Sequence, residues 1–397
     1  MTVSGAWRRA AQGAMLLGDD GEVRPTIFAE MSGLAVRHGA INLGQGFPDE
    51  DGPTEVLEAA QRAIRDGHNQ YAPAMGVPVL REAIADHRER FWGLSADPDR
   101  EVLVTAGATE ALTATLLALL EPGDEVVTFE PFYDLYAAVV ALAGATLRPV
   151  PLLAPEFEPD LDRLRDSFTD RTRIVLVNNP HNPTGAMLSK EALQLIAELA
   201  ERHDAVIVAD EVYEHLGFES KHTPIATIAG AAERTVSISS AAKTFNVTGW
   251  KIGWLVASPA LVEAIVAVKQ WLTYVNGTPF QHGVAVGLGL PDEFFSGVAS
   301  SLAHKRNVLS AGLREAGFSV SPSAGGYFVV ADATPLGYSD AATLCRELPE
   351  RAGVAAIPLS AFVTPENRAP YESLVRFAFC KRIDVLESAA ARLASMG

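Results

Sequence analysis

From about residue 54 onward, short runs of apolar and β-branched residues alternate with longer stretches in which apolar positions recur at helical spacing. The helical pattern covers 54–66, 77–91, 110–120 and 189–203, and the short runs lie at 101–105, 125–129, 173–178, 205–209 and 235–239. Strands buried on both faces that alternate with helices are typical of a mostly parallel sheet between helical layers. Ligands of such sheets bind beyond the carboxyl ends of the strands, so we expect the functional residues there.

The pattern changes after residue 258, where helical stretches follow one another at 259–274, 280–289 and 293–316. Strand-like runs at 327–330, 354–357 and 375–379 then alternate with helices at 339–351 and 383–395, which indicates a second, smaller α/β domain. We therefore expect four parts of the chain. These are an N-terminal extension at 1–23, a segment at 24–53 that packs on the small domain or on a partner subunit, a large domain at 54–292 and a small domain at 293–397.

The composition excludes several classes of protein. Hydrophobic residues make up 48% of the 397 residues and charged residues 20%, as in globular proteins, which excludes disorder as the main state. The chain has 32 Lys and Arg against 49 Asp and Glu, a net charge of −17, so we expect no nucleic-acid partner. No run approaches the roughly eighteen apolar residues of a membrane span, so we expect no membrane partner either.

The cysteines and the N-terminus bear on location. Neither Cys345 nor Cys380 has a second Cys or a His at metal-ligand spacing, so we expect no metal site. Two cysteines in so long a chain favour a cytoplasmic location, although a disulfide stays open. The pair Arg8-Arg9 precedes an apolar stretch that residues 18–22 cut short, which is unlike an export signal. We expect residues 1–22 to form a loosely attached extension.

A turn of small residues follows the first strand candidate. Gly107, Ala108 and Thr109 come directly after strand 101–105 and open a helix. Small residues there let backbone N–H groups and a helix N-terminus face an anion such as phosphate. The alternative is an ordinary strand–helix turn with Thr109 near the cap, and this segment alone does not decide between the two.

Polar residues follow two further strands. The turn at 178–185 contains two prolines and a glycine, and it can hold the Asn182 amide towards a ligand or be purely structural. Asp210 ends an apolar strand, where a carboxylate is costly unless it pairs with a cation. It is either a helix cap or a group that keeps a heterocyclic nitrogen protonated. Tyr213, three residues on, can reach the same ring.

A lysine lies just past strand 235–239, among small and aromatic residues. A desolvated Lys243 has a lowered pKa, which suits a Schiff base. Ser240 precedes it by three residues and Lys251 follows it by eight, and a hydroxyl and a cation suit one phosphate. The alternative is a surface lysine whose ammonium reaches water.

Taken together, these residues resemble the fold-type I pyridoxal-phosphate enzymes, specifically the class I/II aminotransferases, over nearly all of residues 24–395. The motifs stand in the family's order: a Gly-Ala-Thr turn, Asn-Pro-Thr-Gly, Asp-Glu-Val-Tyr, Ser-x-x-Lys and a late Arg. Residues 42–49, 69–71 and 130–134 are similar to the kynurenine, glutamine and methionine aminotransferase branch, including actinobacterial N-succinyldiaminopimelate aminotransferase-like proteins. The resemblance implies a large α/β domain with a mostly parallel seven-stranded sheet between helices, a smaller α/β C-terminal domain, pyridoxal 5'-phosphate as cofactor and a homodimer with shared active sites.

The resemblance also implies a role for each matching residue. Lys243 would hold the cofactor as an aldimine and shuttle a proton, Asp210 would pair with the ring nitrogen, and Tyr213 would bind the ring oxygen. Tyr133 would stack on the ring face, and Asn182 would bind the ring oxygen together with Tyr213. Arg376 would bind the substrate carboxylate, helped by Asn182 and the backbone of Gly44. The residues that would hold the phosphate, with Tyr71 coming from the partner subunit, are Gly107, Ala108, Thr109, Ser240, Lys251 and Tyr71.

The implied reaction moves an amino group from an L-amino acid to a 2-oxo acid in two ping-pong half-reactions. The same residues serve β- or γ-elimination, replacement, carbon–carbon bond formation or oxidation in secondary metabolism, so this alternative stays open. A non-catalytic module is disfavoured because Lys243 is present. No second arginine for a distal carboxylate is evident, which favours neutral, aromatic or sulfur-containing substrates over aspartate and leaves a long acyl-diaminopimelate open.

Several other residues are expected to be structural. We interpret His181, His203 and His282 as structural or solvated, and the pair Trp250 and Trp254 as strand packing. Tyr274, Asn276 and Phe280 line either the substrate entrance or an interface.

Overall fold

The computed structural model describes residues 3–396. Its α-helices are Trp7–Gly13 (α1), Ile27–His38 (α2), Thr54–Arg65 (α3), Pro78–Trp92 (α4), Gly107–Leu119 (α5), Asp134–Ala143 (α6), Leu161–Ser167 (α7), Lys190–Arg202 (α8), Ala241–Thr244 (α9), Pro259–Lys269 (α10), Thr278–Leu288 (α11), Asp292–Glu315 (α12), Ala341–Arg351 (α13) and Ile383–Ala394 (α14). Its β-strands are Ile41–Asn42 (β1), Val102–Ala106 (β2), Glu125–Glu130 (β3), Thr146–Pro151 (β4), Thr172–Asn178 (β5), Val206–Asp210 (β6), Thr235–Ser240 (β7), Ile252–Val256 (β8), Ser319–Val320 (β9), Phe328–Asp332 (β10), Val354–Ala355 (β11), Ile357–Pro358 (β12) and Leu374–Ala378 (β13).

Seven strands form the central sheet, in the order β2-β8-β7-β6-β5-β3-β4. Strand β8 runs antiparallel to both of its neighbours, and the other described strands run parallel, which confirms the expected mostly parallel sheet. Successive residues of β5 enter different apolar cores, with Val175 and Val177 on one face and Ile174 and Leu176 on the other. Because side chains alternate across a strand, both faces of this sheet are covered.

A second sheet lies in the C-terminal part of the chain. Its strands are antiparallel, in the order β12-β13-β10-β9, and the long helix α12 packs against α14 beside them. Strand β1 pairs in parallel with β11, and the backbone N–H of Ala378 donates to the carbonyl of Leu43 at 2.7 Å. The segment around residues 41–43 therefore packs on the C-terminal sheet, far along the chain from its own position.

The central sheet contains two strands that the sequence pattern does not predict, β4 and β8, and the short strands β1 and β9 outside this sheet are also unpredicted. It also splits the single strand expected at 354–357, because β11 pairs with β1 whereas β12 pairs with β13. Helix α10 ends at Lys269 rather than at 274. The Lys269 side chain is 1% exposed, and its Nζ donates to the carbonyl oxygens of Ala74 and Tyr274, which holds the chain after α10 in a turn.

The expectation of a loosely attached N-terminal extension is wrong for α1. This helix packs against α6, and the contact is so close that a Cβ on Gly13 would clash with the carbonyl oxygen of Ala137. Arg9 also donates to the carbonyl of Leu142 at 3.4 Å. The sequence hides this contact because Gly13 meets the small residues Ala137 and Ala141, and none of the residues of α1 is buried.

Three observations bear on cysteines, metals and membranes. Cys345 and Cys380 are both free and buried, so they form no disulfide with each other. Within residues 3–396, no group of three or more His, Cys, Asp and Glu is placed to hold a metal ion. The helices of the same part of the chain include none with both the length and the hydropathy needed to cross a bilayer.

Candidate active site

The carboxyl ends of four parallel strands border a cavity of about 370 Å³. Strands β2, β5, β6 and β7 all end at this edge of the central sheet, and the residues at or just after each end line the cavity. Phe328 on β10 and Arg376 on β13 close the cavity from the C-terminal sheet. The topology alone therefore brings together motifs that lie far apart in the sequence.

One end of the cavity collects backbone donors and a cation. Helix α5 begins at Gly107, so the free N–H groups of its first turn lie beside the cavity. Ser240 ends β7 at the same place, and the Nζ of Lys251 lies 3.4 Å from Oγ1 of Thr109. Gly253 allows strand β8 to lie close to the first residue of α5, because a Cβ at Gly253 would lie 2.5 Å from the carbonyl carbon of Gly107. A phosphate group suits this end of the cavity.

The backbone of Lys251 is held in an unusual conformation. Its φ of 55° is left-handed, which is uncommon for a residue with a side chain. Nδ2 of Asn276 donates to the carbonyl of Lys251 at 2.7 Å, and the carbonyl of Asn276 in turn accepts from Gln281 at 2.7 Å. These contacts stabilise the turn that brings the Lys251 ammonium to the phosphate end.

Asp210 has one carboxylate oxygen without a partner. The side chain is buried, and Oδ2 accepts a 2.5 Å hydrogen bond from the hydroxyl of Tyr136. Oδ1 makes no hydrogen bond with any residue that the structure describes. Burial raises the pKa of Asp210 to about 6, and the Tyr136 hydrogen bond acts in the opposite direction. A protonated ring nitrogen at Oδ1 would supply the missing partner and favour the ionised carboxylate.

A buried glutamate fixes the loop that carries Asp210 and Tyr213. One oxygen of Glu214 accepts from the hydroxyl of Ser239 at 2.5 Å, and the other accepts from Nε1 of Trp92 at 3.0 Å. Burial raises the pKa of Glu214. Because the loop is tied both to β7 and to α4, the two site residues keep their positions relative to the sheet.

Lys243 lies on the short helix α9, with its ammonium group inside the protein. Its Nζ donates to the carbonyl of Gly46 at 3.5 Å and lies 5.9 Å and 5.6 Å from the ring centres of Tyr213 and Tyr327. The hydroxyl of Tyr327 donates to the Lys243 carbonyl at 2.7 Å, which fixes the backbone. Burial lowers the pKa of Lys243, so more of the amine is neutral and nucleophilic than in an exposed lysine.

Arg376 is buried and has an unused donor. Its Nη2 donates to the carbonyl of Gly44 at 2.7 Å and its Nη1 to Oδ1 of Asn182 at 3.2 Å, whereas Nε has no partner among the described residues. The guanidinium lies 4.1 Å from the ring centre of Phe328 and 4.7 Å from that of Phe362, which orients its plane. Burial lowers its pKa to about 10, still well above neutrality. The site thus offers a fixed cation for a carboxylate.

The structure brings most of the predicted site residues together. Gly44 contacts the site through its carbonyl, and Tyr71 does not reach the cavity of its own chain, since it is 83% exposed. The other predicted residues line the cavity: Gly107, Ala108, Thr109, Tyr133, Asn182, Asp210, Tyr213, Ser240, Lys243, Lys251 and Arg376.

Sequence reasoning missed several residues of the site. Tyr136 lies on α6, three residues after Tyr133, which is the N-cap residue of this helix. This helical spacing places Tyr136 on the same side of the helix as Tyr133 and so beside the same cavity. Phe28, Gln45 and Phe328 also line the cavity, but they come from the N-terminal segment and the C-terminal sheet. Gln45 lies in the segment 42–49 that resembles the family, but no local pattern places these three residues at the cavity, because only tertiary packing brings their segments to the strand ends.

The residues expected to be structural lie outside the cavity. His181 is buried and hydrogen-bonds Oγ1 of Thr184 at 2.7 Å, and burial lowers its pKa to about 3. Trp254 is buried on β8, and Trp250 stacks on Phe280 with ring centres 4.9 Å apart. These contacts agree with packing roles.

The model of the family described as aminotransferase class I and II matches residues 38–393. The chain belongs to the class I and II aminotransferases. This aminotransferase is 52% identical over 377 residues to a probable N-succinyldiaminopimelate aminotransferase of Mycobacterium tuberculosis (strain ATCC 25618 / H37Rv), with 93% of this chain and 95% of that protein covered. It is 39% identical over 369 residues to the methionine aminotransferase of Escherichia coli (strain K12), with the same coverage.

A solved structure agrees with this assignment. The N-succinyldiaminopimelate aminotransferase from Mycobacterium tuberculosis superposes on this aminotransferase with a TM-score of 0.93 and 50% identity over 100% of both chains. The fold-type I architecture expected from the sequence is therefore confirmed. The enzyme is a pyridoxal-phosphate-dependent transferase of amino groups, and the alternative fates of the substrate are not favoured.

The side chains of this aminotransferase fit pyridoxal phosphate. When bound, this cofactor withdraws electrons from the α-carbon of the amino acid joined to it. The unpaired oxygen of Asp210 matches a protonated ring nitrogen, and the end of the cavity near Lys251 matches the phosphate. The buried amine of Lys243 matches the aldehyde, because its lowered pKa favours attack on a carbonyl carbon.

Proposed function

We propose that this aminotransferase acts on L-amino acids with long side chains that carry no charge near the α-carbon. Within the described part of the chain, Arg376 is the only arginine that lines the cavity, and this observation carries the proposal. Phe28, Tyr133 and Phe328 provide apolar walls beside it. A short acidic side chain such as that of aspartate would enter this space without a matching cation, at a high desolvation cost.

We assign the remaining steps to residues already described. The Arg376 guanidinium binds the substrate α-carboxylate, with Asn182 and the Gly44 backbone holding it in place. Lys243 attaches the cofactor and then moves the proton at the substrate α-carbon. Asp210 orients the cofactor at its ring nitrogen, and Tyr213 and Asn182 orient it at its ring oxygen. Tyr133 covers the ring face. The residues that hold the phosphate are Gly107, Ala108, Thr109, Ser240 and Lys251.

The first substrate candidate is N-succinyldiaminopimelate. The supporting observation is the 52% identity to the relative of that name. The reacting end of this molecule carries methylene groups next to the α-carbon, and its other charges lie far from it. Methionine, named in the relative from Escherichia coli, shares the uncharged proximal side chain and is the second candidate.

A side-by-side kinetic panel tests the proposed substrate class. The measurement is kcat/KM for N-succinyldiaminopimelate, methionine, glutamine, kynurenine and aspartate, each with the same 2-oxo acid acceptor. We expect aspartate to be the poorest of the five. A marked preference for aspartate would show that a second carboxylate site exists and would overturn the proposal.

We also propose a homodimer in which Tyr71 reaches the phosphate bound by the partner subunit. Tyr71 and Trp271 are 83% and 81% exposed, and the Tyr71 ring contacts that of Tyr274 with centres 5.8 Å apart. Exposed aromatic clusters of this kind are characteristic of interaction surfaces. Mixing inactive Tyr71→Ala and Lys243→Ala variants should restore activity through hybrid dimers, and sedimentation should give the mass of a dimer. A fully active monomer would contradict this.

We propose the following division of the chain: an N-terminal extension at 1–23, a segment at 24–53 that packs on the small domain, a large domain at 54–292 and a small domain at 293–397. The two sheets support it, because the central sheet uses residues 102–256 and the C-terminal sheet uses residues 319–378. Helix α12 begins at Asp292, where the two parts meet. Limited proteolysis that cuts first inside 54–292 would contradict these boundaries.

We further propose a cytoplasmic location. Both cysteines are free and buried, as expected of a chain that folds in a reducing compartment. Fractionation of cells that produce the protein tests this, and recovery from the periplasm or the medium would contradict it.

A further inference from the structure

Gln45 lies between two residues whose carbonyl groups contact Arg376 and Lys243. The carbonyl of the preceding residue, Gly44, accepts from Arg376 at 2.7 Å, and that of the following residue, Gly46, accepts from Lys243 at 3.5 Å. Gln45 itself lines the cavity. A substrate anchored at Arg376 and reacting near Lys243 therefore lies close to Gln45.

The Gln45 amide is held by helix α2. Its Nε2 donates to Oγ of Ser32 at 2.8 Å, and Ser32 lies one helical turn after Phe28, which also lines the cavity. Oγ of Ser32 accepts a second hydrogen bond, of 3.3 Å, from Nδ2 of Asn42. The Asn42 amide is itself oriented, because its Oδ1 accepts from the backbone N–H of Gly44 at 2.9 Å. One N–H of Nε2 is engaged at Ser32, whereas Oε1 of Gln45 accepts no hydrogen bond from a described residue.

The other amides at the cavity are already engaged. Asn178 donates to the carbonyl of Asp210 at 2.8 Å and accepts from the backbone N–H of Asn182 at 2.7 Å. Oδ1 of Asn182 accepts from Arg376 at 3.2 Å. Oε1 of Gln45, in contrast, makes no hydrogen bond with any residue between 3 and 396 and is not buried. It is therefore an acceptor available to a ligand.

We propose that Gln45 is a specificity residue that accepts a hydrogen bond from an N–H group in the substrate side chain. The proposal rests on the proposed function and narrows its substrate class to amino acids with a carboxamide or an N-acylated amine. An amide acceptor next to aromatic walls is satisfied by an amide substrate and is left unpaired by a thioether or hydrocarbon of the same length. The substrate therefore supplies the partner that the protein does not.

The first experiment measures a ratio of specificities. For the wild-type enzyme, kcat/KM is compared for glutamine, methionine and methionine sulfoxide, whose side chains have similar lengths. Glutamine carries N–H donors and an acceptor oxygen, methionine carries neither, and the sulfoxide carries an acceptor oxygen only. We expect Gln45→Leu to lower the glutamine-to-methionine ratio about tenfold. Gln45→Glu keeps acceptor oxygens and should retain most of the ratio. An unchanged ratio in Gln45→Leu overturns the proposal. A wild-type preference for the sulfoxide over methionine that equals the preference for glutamine over methionine also overturns it, because only a donating Nε2 would serve both substrates.

The second experiment needs no turnover, so it separates this proposal from the proposed function. Dissociation constants are measured by calorimetry for glutaramate and hexanoate, which match glutamine and its hydrocarbon analogue without the reacting amino group. Wild-type enzyme should bind glutaramate more tightly, and Gln45→Leu should remove that difference. The matched control Gln194→Leu, at an exposed position on α8, should leave the difference unchanged. Equal loss of both affinities in Gln45→Leu would indicate a merely structural role. If wild-type enzyme converts none of the amino acids but still binds glutaramate more tightly than hexanoate, the proposed function fails and the role of Gln45 stands.

Discussion

The burial of Asp210 destabilises the apoprotein, and replacing this residue by asparagine should remove that cost. Burial raises its pKa from 3.8 to about 6, so the folded state keeps a proton that the unfolded chain releases between these values. The free energy of unfolding therefore falls as the pH rises through this window. Because one pKa unit corresponds to about 1.4 kcal/mol, the loss above pH 6 amounts to about 3 kcal/mol. Asp210→Asn keeps the shape and can still accept from Tyr136.

The assay is chemical denaturation of cofactor-free protein between pH 4 and pH 8. We expect the Asp210→Asn apoprotein to be more stable than wild type by about 3 kcal/mol at pH 8 and by little at pH 4. Asp170→Asn, at an exposed position, is the matched control and should follow wild type at every pH. In the presence of cofactor, the more stable Asp210→Asn variant should be the less active one. Its reaction rate should fall by several orders of magnitude, because it lacks the anion for the ring nitrogen. Parallel pH curves for wild type and Asp210→Asn would refute the reasoning.

Two further substitutions probe the partners of the cofactor and the substrate. Tyr136→Phe removes a hydrogen bond to a charged group, so the pKa of Asp210 should rise by about one to two pH units. The acidic limb of the pH profile of cofactor binding should move to higher pH by the same amount. An acidic limb that does not move would contradict this. Arg376→Ala should lower kcat/KM for every amino acid by the equivalent of about 2–5 kcal/mol, and Arg376→Lys should recover only part, because lysine lacks the planar fork. A loss confined to acidic substrates would show that Arg376 binds the side chain instead.

The central sheet was largely predictable because its strands are short, apolar and separated by helices. The two strands missed have physical reasons. Strand β4 lies at the edge of the sheet, is mostly not buried and contains Pro149 and Pro151, so it lacks the apolar run of a central strand. Strand β8 is buried throughout but contains Gly253, and it follows the left-handed turn at Lys251 that resembles a loop. Sequence patterns identify central parallel strands better than edge or interrupted strands.

The strand pattern alone predicts the site only where it depends on the ends of parallel strands, whereas Arg376 and Gly44 were expected from the family resemblance. Asp210 and Lys243 follow apolar runs, so topology places them at one edge whatever the details of packing. Gln45 and Phe328 reach the same cavity because β1 pairs with β11 and the C-terminal sheet packs over the strand ends. The local sequence does not predict such contacts between distant segments, even at 42–49, where it resembles the family. The close packing of Gly13 on α6 is invisible for the same reason.

The central claim is that Lys243 is the residue that binds the cofactor at the ends of the parallel strands. Its buried amine, its lowered pKa and its position between Gly46 and Tyr213 all support this role. The most direct measurement is borohydride reduction of the cofactor-loaded protein, followed by peptide mapping with mass spectrometry. We predict that the reduced cofactor is attached to Lys243 and that Lys243→Ala protein carries no label. A label on Lys251 or on any other lysine would contradict the account.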